Sequence, residues 1–246
     1  EKCGKLLTCL EQAIEEDRIV PFFQKIVNIK TGENGKYEVL MRIKSGDEFL
    51  SPYPFIVTAE KYNLIDKVDF IMLEKALSYK KRIDIEDKLI FSFNLSGKLL
   101  NNREYLNKAK AIIDKYNIKH ENIIFEITET ENIKNINKLA NTIKKYNKEN
   151  FKFSIDDFGT GYSSIYYLKN INVDYLKIDG SFIKDINEKE ENLYLVKSII
   201  NMAKAFNTKI VAEFVENQYI LKTLNDLGVD FAQGYYFNKP EENIII

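Results

Sequence analysis

Phe151-Lys-Phe-Ser-Ile-Asp156-Asp157-Phe-Gly159-Thr-Gly161-Tyr-Ser-Ser164 is an alternating apolar run that ends in two adjacent carboxylates and a glycine-rich turn. It reads as a strand carrying acid to its own carboxyl end. Side chains alternate along a strand, so Asp156 and Asp157 can serve one site only if the chain leaves strand geometry there. Gly159 and Gly161 are expected to permit that departure. Two neighbouring carboxylates repel each other when ionised, and either a raised pKa or a bound cation relieves them. The expectation is cations.

Outward from this segment, short β-rich runs alternate with stretches of helical spacing, the mark of βα units. The strands are expected near Phe22–Ile29, Tyr37–Ile43, Leu89–Leu95, Ile123–Thr128, Phe151–Asp156, Tyr175–Ile178, Lys209–Glu213 and Asp230–Gln233. Helices are expected near Lys5–Glu16, Ile65–Lys80, Arg103–Tyr116, Ile133–Tyr146, Tyr162–Leu168, Leu193–Phe206 and Asn217–Leu227. This pattern predicts an α/β fold, a (β/α)8 barrel. Only Lys30–Lys36 joins the first two strands, too few residues for a helical crossover, so that pair is expected to run antiparallel.

With 246 residues, 45% of them hydrophobic, the chain can bury a large core, and no low-complexity block divides it. It is read as a single domain spanning residues 1–246. A net charge of −1 argues against a surface for nucleic-acid polymers. No apolar run approaches membrane-spanning length and no signal-peptide pattern opens the chain, so a cytoplasmic protein is expected, or the cytoplasmic part of an anchored one. The chain begins without Met on the approach to a helix, which suggests a piece of a longer multidomain protein. Cys3 and Cys9 are read as reduced thiols, and His120 as a surface residue.

The polar residues fall where a packed barrel would not put them. Glu38 and Arg42 lie on the second run, Asn94 near the end of the third, Glu126 near the end of the fourth, and Asp156 and Asp157 on the fifth. Lys177 is late on the sixth, while Glu213 and Gln233 close the seventh and eighth. The carboxyl ends of barrel strands meet at one mouth, where the active sites of this architecture lie. Any one of these groups alone is more simply a solvated or ion-paired residue, but chance would scatter them along the strands. Oxygen donors without Cys or a nearby His suit Mg²⁺ or Mn²⁺ better than zinc. Paired aspartates bridging two cations suggest phosphoester hydrolysis. Lys177 and Arg42 supply positive charge for a phosphate, or else form internal ion pairs. Glu129 is either a brace for the glycine loop or a first-turn acid of the following helix.

Six ordered blocks carry a family resemblance: Glu38-Val39-Leu40-Met41-Arg42, Asn94-Leu-Ser96, Glu126-Ile-Thr-Glu129, Asp156-Asp-Phe-Gly-Thr-Gly-Tyr-Ser-Ser164, Leu176-Lys177-Ile-Asp179 and Ala212-Glu213-Phe-Val-Glu216. With them the chain resembles the EAL domain, a phosphodiesterase family that opens cyclic di-GMP. The resemblance implies an irregular, TIM-like (β/α)8 barrel, two Mg²⁺ or Mn²⁺ ions and hydrolysis of cyclic di-GMP to linear pGpG. It casts Glu38, Asn94, Glu126 and Asp156 as ligands of one metal, and Asp156, Asp157 and Glu213 as serving the second metal or its water. Glu38, Lys177, Glu213 and Asp157 form the catalytic set, with Lys177 positioning the attacking water. Arg42, Gln233 and Asp179 are the substrate-binding set, Arg42 meeting a phosphate and Gln233 steadying the site. Glu129 would brace the loop containing Gly159, Thr160 and Gly161, through which the family couples its site to a homodimer interface, and regulatory domains would lie elsewhere in the protein.

The chain departs from the family pattern at three places. Val39 replaces the usual Ala, the Trp-x-His-Pro after the signature Arg gives way to Ile43-Lys-Ser-Gly-Asp-Glu-Phe49, and Phe214 stands where the family mostly has Gly. The alternative to an enzyme is a catalytically silent domain that binds cyclic di-GMP or docks a protein. Such relatives commonly lose a metal ligand, and this chain keeps all of them. A hydrolase for another phosphodiester is the third reading, and it rests on the altered loop after Arg42.

Overall fold

The structure, a computed structural model, describes residues 2–95, 102–128, 136–160 and 164–244. Helix α1 (Lys2–Glu15) precedes β1 (Ile19–Asn28) and β2 (Lys36–Ser45), which pair antiparallel with Gln24 opposite Glu38. After these come β3 (Glu48–Leu50), α2 (Tyr53–Lys61), α3 (Ile65–Ile83), β4 (Ile90–Leu95), α4 (Arg103–Lys115), β5 (Ile123–Thr128), α5 (Ile136–Asn147) and β6 (Lys152–Phe158). The chain continues through α6 (Ser164–Asn170), β7 (Tyr175–Ile178), α7 (Gly180–Ile183), α8 (Glu190–Ala205), β8 (Lys209–Ala212), α9 (Gln218–Leu227) and β9 (Phe231–Ala232).

Pairing runs β1-β9-β8-β7-β6-β5-β4-β2, and the β1–β2 ladder closes the ring into an eight-stranded barrel. Pairs from β2 through β4 to β9 are parallel, whereas β1 opposes both its neighbours. The expected barrel with an antiparallel first strand is therefore present. β3 lies outside the ring as a hairpin on the far end of β2. Neither this three-residue strand nor α2 is among the elements expected from the sequence pattern.

Alternation along the strands separates two interiors. Outward residues such as Phe91, Phe93, Phe125, Ile127, Phe153, Ile155, Leu176 and Ile178 are buried in the continuous core against the helices. Inward residues build a smaller cluster inside the ring, Ile26, Val211 and Phe231 with Tyr175. Lys36 Nζ lies 3.9 Å from the centre of the Phe231 ring. Two residues further along the same inward faces stand Gln24, Glu38, Lys177, Glu213 and Gln233. The apolar plug thus forms a floor under the polar mouth.

Asparagine caps open two of the helices. Asn102 caps α4 by accepting from the backbone of Glu104 and Tyr105, and Asn217 caps α9 in the same way. At the opposite end from the mouth, the wholly buried Lys80 ammonium lies 2.5 Å from both Asp84 and Asp87. Those carboxylates also accept backbone N–H groups of Lys88, Leu89 and Lys119, which ties α3 to the start of β4. His120 is more than a surface residue: its ring stacks on Phe151 at 4.1 Å and lies 2.9 Å from the Glu149 carbonyl and 2.7 Å from Asp114. It fastens that same end, a role its polar neighbours in sequence gave no sign of. Cys9 is a free, half-buried thiol. Among the described residues no helix is long and apolar enough to cross a membrane.

Candidate active site

Lys177 projects from β7 into the centre of the mouth and is fully buried. Its ammonium stands 2.8 Å from Glu126, 3.0 Å from Glu213, 3.1 Å from Glu38 and 3.2 Å from Asp156. These acids come from β5, from the residue after β8, from β2 and from β6. Parallel register explains the convergence, since Asn94 lies opposite Glu126, and Glu126 opposite Ser154, two residues before Asp156.

Each carboxylate has further partners. Glu38 accepts from Asn94 Nδ2 at 2.8 Å on one oxygen, and from Gln233 Nε2 at 2.7 Å and Lys177 on the other. Ser92 donates to Glu126. Gln24 also accepts from Gln233, at 3.0 Å, and donates to the Asn238 carbonyl. Ser92 and Gln24 join the site beyond the residues expected from the sequence. Strand alternation could have found Ser92, two residues before Asn94 on the same inward face, whereas Gln24 belongs to the site only because of the antiparallel register of β1.

Asp157 resolves the problem posed by adjacent aspartates. Its φ is +54°, the left-handed region, and the β6–β7 register shifts between Ile155 and Phe158. This bulge turns two consecutive carboxylates toward one mouth. The departure begins at Asp157 itself, two residues before the first glycine, and Asp tolerates this conformation better than most residues. Gly159 follows with φ +105°, and Thr160 Oγ1 donates to the Asp157 carbonyl at 2.9 Å. Glu129 and Gly161 lie outside the described residues.

Among the described residues, carboxylate oxygens of Glu38, Glu126 and Asp156 lie within 4.8 Å of one another, as do those of Asp156, Asp157 and Glu213. The two triads share Asp156. Buried Asp156 Oδ1 has no hydrogen-bond partner, since its ion pair with Lys177 is not aligned as one. Five carboxylates around one ammonium leave an excess of negative charge, which makes ionisation harder for most of them. Burial and the neighbouring Glu38 push Glu126 up to about 8, and burial with the adjacent Asp156 pushes Asp157 up to about 6. Burial likewise raises Glu213 and Asp156. Burial opposes ionisation of Glu38 too, but Lys177 and the hydrogen bonds from Gln233 and Asn94 prevail and hold it below the ordinary carboxylate range. For Lys177, burial is overcome by the surrounding acids, which raise it well above its usual value. Hard divalent cations fit this donor set.

Arg42 stands at the rim. Its guanidinium donates to the Met41 carbonyl at 2.7 Å and lies over Phe22, with its carbon 5.5 Å from the ring centre. It lines a cavity of about 330 Å³ together with Glu38, Glu213, Phe214, Gln233 and Tyr235. Asp179 is taken up as the N-cap of α7, accepting from Ser181 N at 2.9 Å, and belongs to neither triad. The structure thus brings together Glu38, Asn94, Glu126, Asp156, Asp157, Lys177, Glu213 and Gln233, with Arg42 beside them.

The model of the EAL domain family matches residues 8–240. Cyclic di-GMP phosphodiesterase PdeA of Borreliella burgdorferi is 37% identical over 97% of this chain, which covers 36% of that protein. Cyclic di-GMP phosphodiesterase PdeB of Shewanella oneidensis is 36% identical over 94% of this chain and 28% of its own length. The chain therefore spans about a third of these curated relatives. Among solved structures, the EAL enzyme Bd1971 in its cAMP and cyclic-di-GMP bound form superposes with a TM-score of 0.90 at 28% identity, covering 98% of this chain and 66% of that one. The PaMucR phosphodiesterase in complex with c-di-GMP gives 0.89 at 27% identity, covering 96% and 97%.

Proposed function

The chain belongs to the EAL domain family, and from that premise we propose that it is a phosphodiesterase hydrolysing cyclic di-GMP to linear pGpG with two Mg²⁺ or Mn²⁺ ions. The observation that carries the proposal is the pair of carboxylate triads sharing Asp156 around Lys177. Glu38, Asn94, Glu126 and Asp156 hold one ion, and Asp156, Asp157 and Glu213 the other. Bound divalent ions supply Lewis acidity toward a phosphoryl oxygen and make water acidic enough to attack near neutral pH.

The side chains do the rest. Lys177, kept charged by its acids, orients the attacking water and offsets charge on the phosphoryl group. Arg42 presents its guanidinium to a phosphate from the rim. Gln233 fixes the Glu38 carboxylate while being held by Gln24. The water oxygen bonds to phosphorus and gives up a proton to solvent, the bond from phosphorus to the 3′ oxygen breaks, and that oxygen takes up a proton from solvent to leave as a hydroxyl. Two further parts of the proposal are a cytoplasmic setting and a homodimer through the loop and helix after Asp157, where Tyr166 on α6 is exposed. Domains outside this chain would regulate it.

The test is incubation with cyclic di-GMP and Mn²⁺ or Mg²⁺, followed by chromatography. Linear dinucleotide is expected, and its formation should stop with chelator. Folded, metal-supplied protein that binds the cyclic dinucleotide without cleaving it would establish the silent binding module instead.

A further inference from the structure

Phe214 is the residue after Glu213, and it combines two features that are each unfavourable. Its φ is +54°, in the region where glycine is the ordinary occupant, and this large apolar residue is 57% exposed. Backbone strain of this kind persists where the surroundings over-determine it, most often beside a ligand site. Here the support is Gly180, the first residue of α7. A Cβ on Gly180 would stand 2.1 Å from Phe214 Cδ2, so the ring presses on bare backbone. The Phe214 ring therefore has a rigid backing while still forming part of the wall of the cavity that holds Arg42, Glu213 and Gln233. Because Glu213 reaches Lys177, the ring begins about 3.8 Å along the chain from an acid of the mouth. A nucleotide with its phosphate at the mouth can reach it with its base.

We propose that Phe214 is a specificity-determining residue whose ring, seated on Gly180, stacks on a purine base of the cyclic dinucleotide. The proposal rests on the phosphodiesterase reading above. Aromatic rings bind bases through their flat faces, and a purine offers the larger face.

The experiment compares kcat/KM for cyclic di-GMP and cyclic di-UMP in wild-type protein and in Phe214→Leu, Phe214→Gly, Phe214→Trp and Gly180→Ala. The Leu variant should reduce the preference for the purine substrate about tenfold, mainly through KM, and the Trp variant should keep it. Phe214→Gly relieves the left-handed backbone, so a matching loss there excludes misfolding as the cause. Gly180→Ala, which displaces the ring, should lose preference likewise, and its effect should vanish when combined with Phe214→Leu. An unchanged preference, or equal losses for both substrates, overturns the role of Phe214 and leaves the phosphodiesterase reading standing. Wild-type protein that neither binds nor cleaves cyclic di-GMP overturns both.

Discussion

Glu38 shows how heavily each carboxylate of the mouth is constrained: Asn94, Gln233 and Lys177 all donate to it. Glu38→Gln keeps the shape but removes the charge and turns an acceptor into a donor facing Lys177. A fall in kcat of about a hundredfold or more is expected at saturating Mn²⁺, and a rate near wild type would remove Glu38 from the metal site. The raised carboxyls give a second expectation. Glu126, pushed up to about 8, and Asp157, up to about 6, titrate at ordinary acidic values once unfolded, so the folded protein holds more protons between those limits. Stability of the metal-free protein should therefore fall as pH rises from about 5 to 8, measured by urea unfolding in chelator. The depressed Glu38 acts in the opposite direction, but only below the ordinary carboxylate range. Saturating Mg²⁺ should flatten the slope, and a metal-free protein that gains stability over this interval contradicts the assignment. At this scale the sequence announced the residue types at the site, but not how they are held. The left-handed φ of Asp157 and the involvement of Gln24 depend on neighbours that composition and period do not display.

Among the elements, those with several turns or alternations were legible, and the very short ones were not. β5 and β7 begin and end where alternation placed them. β3 has only three residues, too few to show a period, and α2 is a nine-residue helix that opens at Tyr53-Pro54 and buries only Phe55, Thr58 and Ala59. The junction between α3 and β4 escaped for another reason: Lys80 continues a charged helix end in sequence yet is buried between Asp84 and Asp87. Removing a buried ion's partner costs more than an exposed pair contributes. Lys80→Met should lower unfolding free energy by about 3–5 kcal/mol, because two desolvated acids lose their counter-ion. Denaturant titration measures it; a loss under 1 kcal/mol would mean that water reaches these acids.

Taken whole, the barrel was readable because its outward and inward faces obey different rules, an apolar one toward the helices and a polar one at the mouth. The closing of the ring by the β1–β2 ladder followed from a linker too short for a helix. Ligation acts on the molecule as a unit, since ions that bind only the folded chain stabilise all of it. Mn²⁺ at about a hundred times its dissociation constant should add about 2.7 kcal/mol and raise Tm by about 5 °C, read by thermal unfolding with and without the ion. Glu38→Gln should shrink the increment, and absence of any increment in wild-type protein would refute the cation site.

The apolar floor of Ile26, Tyr175, Val211 and Phe231 beneath Lys177 makes the barrel a vessel with one opening. Reactant, solvent and spent product must share that entrance and cannot pass through in file. For the proposed reaction, departure of a linear dinucleotide must then precede entry of the next cyclic one, so added linear product is expected to slow turnover.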